Sequence, residues 1–102
     1  MREYELYVPL YDNDGRPVDH QKIADLKQRL ARQFGGLTHF PQENEGLWRM
    51  GSFTFRDRIV IFRVLAMDAA EAERFLREVK ADLKREWQQK DVLIVARDVA
   101  TV

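Results

Sequence analysis

Two amphipathic stripes of helical period, each opened by its own capping residue, are set among segments of strand period. That order restricts the fold more than any other feature of the chain. Asp19 can cap a helix running to Phe34, because Ile23, Leu26, Leu30 and Phe34 fall on one stripe. Gly35-Gly36 then supply a left-handed stop. A second helix opens at "DAAE", with Asp68 as cap and Glu71 three residues on, a variant of the capping box. Phe75, Leu76, Val79, Leu83 and Trp87 mark its buried stripe as far as Gln88.

The remaining segments read as strands. In "YELYVPLY" Tyr4, Leu6, Val8 and Leu10 alternate with Glu5, Tyr7, Pro9 and Tyr11, the period of a half-buried strand. Pro9 has no N–H to give a ladder, so it is expected at a bulge or where pairing lapses. "DNDGRP" breaks the pattern as a turn. "GLTHF" and "GLWRM" read as halves of one interrupted strand, bent at Gly36 and Gly46, and "RIVIFRVLA" as a full strand. "DVLIVARD" closes the set. The sequence therefore predicts a single α+β domain over residues 1–102. Its expected form is a ferredoxin-like βαββαβ sandwich, a four-stranded antiparallel sheet with two helices on one face.

With helices on one face only, each strand should alternate apolar and polar. Two do not. Val60, Phe62 and Val64 form one parity of "RIVIFRVLA", and Ile59, Ile61 and Leu65 the other. "VLIVA" sets Val92, Ile94 and Ala96 against Leu93 and Val95. Such strands read as central ones, covered on both faces. A lone two-layer domain would leave this second face as an apolar patch of the size that marks an interaction site. The expected cover is a second copy, giving a homodimer that buries Ile59, Ile61, Leu93 and Val95 across a twofold axis. The alternative is that the tail "ATV" or the 41–57 segment folds over that face.

Composition closes off several function classes. Lys plus Arg (17) balances Asp plus Glu (17), so no overall field attracts nucleic acid or membrane, and neither is an expected partner. The chain has no cysteine, which removes disulfides, zinc–thiolate sites and thiol catalysis. "MREYELYVPL" carries charges where a secretory signal needs an apolar stretch. The longest apolar runs fall far short of the ~20 residues that span a bilayer. A cytoplasmic protein is expected.

No motif carries chemistry on its own. "YDNDGRPVD" fails as a calcium loop, because aligning Gly15 with the loop glycine puts Leu10 and Gln21 at ligand positions. His20 sits at an exposed helix start. His39 has Glu43 and Glu45 nearby but no second local histidine, so no metal is expected. Ser52, His39 and Asp57 lack nucleophile-elbow glycines. Gly35-Gly36 follow a helix and precede a strand, the reverse of a phosphate-cradling order, and no cofactor is expected. Arg63 interrupts the second apolar parity and is expected to meet a carboxylate there, one such as Glu5 of the first strand in preference to an acidic ligand. Trp48 is expected in the core or at the dimer contact.

At "ELYVPLYDNDGRPV", "GGLTHFPQENEGLW" and "KDVLIV" the chain resembles a family of small uncharacterised proteins, a domain of unknown function. The family's pattern is E-L-Y, D-G-R, G-L-T and G-x-W. Pro9 stands where that family tends to have glycine, and the acidic residue expected after G-x-W is missing. The resemblance implies the fold and is silent on activity. The architecture is also similar to dimeric α+β barrel proteins, some of them cofactor-free monooxygenases or small-molecule binders. Two functions follow. The first is a homodimeric binding or accessory module without a catalytic site. The alternative is a cofactor-free dimeric α+β barrel enzyme or small-molecule binder, its pocket lined by Tyr7, His39, Trp48 and Arg63, with His39 as acid–base group.

Overall fold

The order of strands and helices in the computed structural model, which describes residues 1–102, follows from local signals in the chain. The elements are β1 (Arg2–Pro9), α1 (His20–Phe34), β2 (Thr38–Met50), β3 (Phe53–Ala66), α2 (Ala69–Glu86) and β4 (Ile94–Asp98). They build one antiparallel sheet in the order β2-β3-β1-β4, the ferredoxin-like α+β arrangement. Asp19 caps α1 by accepting from the Gln21 N–H at 2.7 Å, and Gly35 closes the helix with a φ of 74°. Asp68 caps α2 by accepting from the Glu71 N–H at 3.1 Å, and Trp87 ends that helix, buried. None of the helices is long and apolar enough to cross a membrane.

One parity of the central strands makes the core. Tyr4, Leu6 and Val8 of β1 and Val60, Phe62 and Val64 of β3 join Leu26 and Leu30 of α1 with Leu76, Val79 and Leu83 of α2. Both helices therefore cover the same face of the sheet, and the opposite parity is left to form a second, open face.

Two strand expectations are corrected, besides the start of β3, which lies at Phe53 rather than Arg58 because the facing end of β2 pairs with it. β2 is continuous through Gly46, and its irregularity is a bulge that shifts the register with β3 between Phe40 and Asn44. Pro41 lies in that bulge, where its missing N–H costs no ladder bond. Gly36 lies in the link before β2, and Gly46 makes room of another kind. A Cβ there would lie 3.3 Å from Nε1 of the Trp48 indole, which is folded back over it. The second correction concerns "VLIVA". β4 is an edge strand starting at Ile94, and only the Leu93 carbonyl before it joins the sheet, accepting from the Tyr7 N–H at 3.0 Å.

Pro9 is the last residue of β1, beyond the rungs shared with β4, so its missing donor again leaves no gap. The "DNDGRP" turn is held by its own first residue. The Asp12 carboxylate accepts from the N–H groups of Asp14 and Arg16, at 2.8 and 3.0 Å.

Candidate functional site: the open face and its cleft

Strand pairing determines what stands on the open face. Glu5 faces Arg63, Tyr7 faces Ile61, and Pro9 faces Ile59 across β1 and β3, while Glu3 faces Arg97 and Glu5 faces Val95 across β1 and β4. On the far side, Thr38 and Phe40 stand opposite Arg63 and Ile61. The face is apolar apart from one charged strip.

That strip is a four-membered network. Arg63 donates from Nη2 to Glu5 at 3.3 Å, the pairing expected from the sequence, and its Nε lies 2.8 Å from Glu3 Oε1. The Nε–Glu3 contact is an ion contact only, since the N–H is not aimed along it. Arg97 donates to Glu3 at 3.0 Å and also to Glu5. The Arg63 guanidinium also lies 4.8 Å from the centre of the Phe40 ring. The Arg97 hydrogen bond, aided by Arg63, holds the buried Glu5 carboxyl below the usual carboxylate range, against the opposing effect of burial. Two carboxylates and two guanidiniums cancel, so the strip has no net charge.

Beside this strip the open face hollows into a cleft of about 210 Å³. Tyr7, Pro9 and Ile59 line it from the sheet, and Trp48, Met50 and Phe55 from the β2–β3 hairpin. The segment Gln89–Leu93, leading into β4, lines the remaining side. Trp48 and Phe55 are direct cross-strand partners, and the Lys90 ammonium sits 4.2 Å from the centre of the Phe55 ring. Asp57 and Arg49 add one charge of each sign. An aromatic lining with a few polar groups suits a flat organic molecule.

The four residues singled out from the sequence do not converge. Tyr7 and Trp48 meet in the cleft. Arg63 shares the face but lies in another groove, with Glu3, Thr38 and Leu65. His39 is on the opposite side of the sheet, because it sits between Thr38 and Phe40 and alternation turns it toward the helices. Its ring packs edge-on against Phe62, with centroids 4.9 Å apart, and its Nδ1 lies 3.2 Å from the Lys27 ammonium. Burial, and then the Lys27 charge, keeps this imidazole below its ordinary pKa, as the neutral form. No group of three or more His, Asp and Glu side chains is placed to hold a metal ion.

Of the residues expected at a dimer contact, Ile59 is already covered within the chain, at 6% exposure, while Ile61, Leu93 and Val95 are half-buried. Sequence reasoning missed Phe55 and Lys90. Phe55 enters through its register with Trp48, which depends on the bulge, and Lys90 through the path of the chain after α2.

Fold and site together define a ferredoxin-like α+β protein with an aromatic cleft on its uncovered sheet face. No family model and no curated protein matches the chain. Among solved structures it is similar to a phage SAM lyase in complex with S-methyl-5'-thioadenosine, with a TM-score of 0.66. The alignment covers 95% of this chain and 80% of that one at 8% identity, a likeness of fold.

Proposed function

We propose that the protein is a homodimeric, non-catalytic binding module that takes a small flat aromatic ligand in the open-face cleft. The observation that carries this reading is the lining itself, with Tyr7, Trp48 and Phe55 around one hollow. At about 210 Å³ the cleft lies below the ~300–1,000 Å³ typical of drug-sized ligands, which favours one ring system over a two-part cofactor. A second copy packed on the same face would take Ile61, Leu93 and Val95 out of water. The solved neighbour is a complex with S-methyl-5'-thioadenosine, whose base is a flat ring of this kind, so that compound is the first probe. The resemblance through "ELY", "DGR", "GLT" and "GLW" is retained as our reading of the chain's kinship.

The test uses Trp48 emission in a Trp87→Phe background, because Trp87 is buried and reports on the core. S-methyl-5'-thioadenosine, adenosine and small aromatic acids are titrated, with calorimetry as a second readout. A saturable change is expected, weakened about 5- to 150-fold by Tyr7→Ala, one stacking partner being worth about 1–3 kcal/mol. His39→Ala should leave binding intact, since that ring faces the helices. No saturable response from any compound by either method would defeat the proposal. Loss of binding in His39→Ala would favour the enzyme reading instead.

A further inference from the structure

We propose that the end of the β2–β3 hairpin, residues 44–58, is an arm that grips a second copy of this chain. The inference rests on the homodimer reading above and assigns the surface that makes the dimer.

The last rung between β1 and β3 is Pro9 with Ile59, so Phe53–Arg58 and the facing residues of β2 have only each other as strand neighbours. Six residues at about 3.3 Å each give the hairpin a contour length of roughly 20 Å past that rung. Its base leans on the body, through the Leu10 N–H to the Arg58 carbonyl at 3.0 Å and through Lys90 on Phe55. Nearer its tip, Met50 still borders the cleft, while Phe53 stands largely in solvent. A two-stranded ribbon is marginal in water by itself.

The ribbon has two unlike sides. One carries the ion pairs Arg56–Glu45 and Arg58–Glu43, at 3.4 and 3.5 Å, as a solvated side should. The other continues the open face with the cross-strand pairs Trp48–Phe55 and Met50–Phe53. Such alternation belongs to a strand with one side buried. Yet Met50 and Phe53 are 54% and 70% exposed, so the side built for burial is uncovered in the single chain.

Charge and area select a second copy as the cover. The Glu3–Glu5–Arg63–Arg97 strip is already paired within the chain, and the chain's net charge is zero. Its own twofold image can cover such a face without stranding a charge, and nothing on the face calls for a strongly acidic or basic partner. Four strands about 4.8 Å apart and about 23 Å long offer roughly 450 Å² in projection, well short of the ~800 Å² per partner of a stable interface. The arm adds about 200 Å² more, before the corrugation of side chains is counted. Because Trp48, Met50 and Phe55 belong to the arm, the same contact also holds one wall of the cleft in place.

The decisive variant is Met50→Ser with Phe53→Ser, two exposed side chains whose loss leaves the core untouched. Light scattering at micromolar concentration should give twice 12.1 kDa for the wild type and 12.1 kDa for this variant. The variant's thermal melt should match that of the wild type diluted until it is monomeric. Met67→Ser removes another exposed apolar side chain, 81% exposed and outside the arm, and should stay dimeric. In the wild type, amide exchange in residues 45–57 should slow several-fold as concentration carries the chain from monomer to dimer. A monomeric wild type would overturn the arm together with the dimer. A dimer that survives Met50→Ser/Phe53→Ser but is split by Ile61→Glu would overturn the arm alone and leave the open-face dimer standing.

Discussion

Replacing Glu5 with glutamine removes one negative charge from between two guanidiniums while keeping the side chain's shape. In the wild type the Glu5 carboxylate is buried and accepts from both Arg63 and Arg97. A hydrogen bond to a charged group is worth about 1.5–3 kcal/mol, so losing two would cost several if nothing compensated. Two things do. Glu3 stays within 2.8 Å of Arg63 and 3.0 Å of Arg97, and the arginine side chains are 36% and 50% exposed, so water can take over part of their solvation. The net cost at neutral pH should therefore be about 1–2 kcal/mol, below the 3–5 kcal/mol of a fully buried broken pair.

The pH dependence separates charge from packing. Glu5 is held below its ordinary value of 4.5 mainly by the Arg97 hydrogen bond, so the folded chain gives up this proton more readily than the unfolded one. Its contribution is therefore complete above the unfolded value and is lost as pH falls through the lower, folded value. Glutamine has no such titration. Urea unfolding, followed by circular dichroism at one fixed protein concentration, should show the difference between wild type and Glu5→Gln at pH 7. That difference should shrink toward zero as pH falls below 4.5. A difference of the same size in acid would refute the electrostatic account and point to packing. No difference at pH 7 would mean that Glu3 alone satisfies both arginines.

Phe62 is fully buried at the centre of the sheet, and Phe62→Ala should cost about 3–5 kcal/mol in urea unfolding. Trp48→Ala, on a half-exposed residue of the hairpin, should cost only about 1–2 kcal/mol of single-chain stability. Equal costs would mean the hairpin is packed as tightly as the core. Gly46→Ala puts a methyl 3.3 Å from the Trp48 indole nitrogen, and because that ring has room to shift, the cost should be about 1 kcal/mol or less. Its main effect should be a displaced Trp48 emission maximum in a Trp87→Phe background, and an unchanged spectrum would contradict the packing of the indole over Gly46. Lys27→Ala removes the second of the two influences that hold the His39 pKa down. Its midpoint, followed by ring-proton NMR, should rise toward 6.5 without reaching it, since burial remains. A midpoint that stays put would show that the Lys27 charge does not reach the ring.

Local signals carried the element order a long way. Asp19 and Asp68 cap their helices and Gly35 stops the first, because a cap concerns groups only a few residues apart. The parity of "YELYV" and "IVIFRVL" separated the core side from the open side, and the Arg63–Glu5 pairing followed from two charges on the same parity. The candidate site was legible only in part, Tyr7 and Trp48 together and His39 elsewhere. Parity sets the faces, and register sets the cross-strand partners. The bulge between Phe40 and Asn44 brings Trp48 opposite Phe55 and opens the cleft, while His39, before the bulge, faces the helices. The bulge moves the pairing by two residues, from Phe40–Ile61 to Asn44–Ile59, so it keeps Phe40 and Trp48 on one face and changes only the cross-strand partner. Alternation counted from His39 therefore already puts Trp48 on the open face, whereas its partner Phe55 is set by pairing with a distant segment. The edge position of β4 and the hairpin's reach beyond β1 are likewise products of pairing between segments far apart in the chain. Only the tertiary structure decides those.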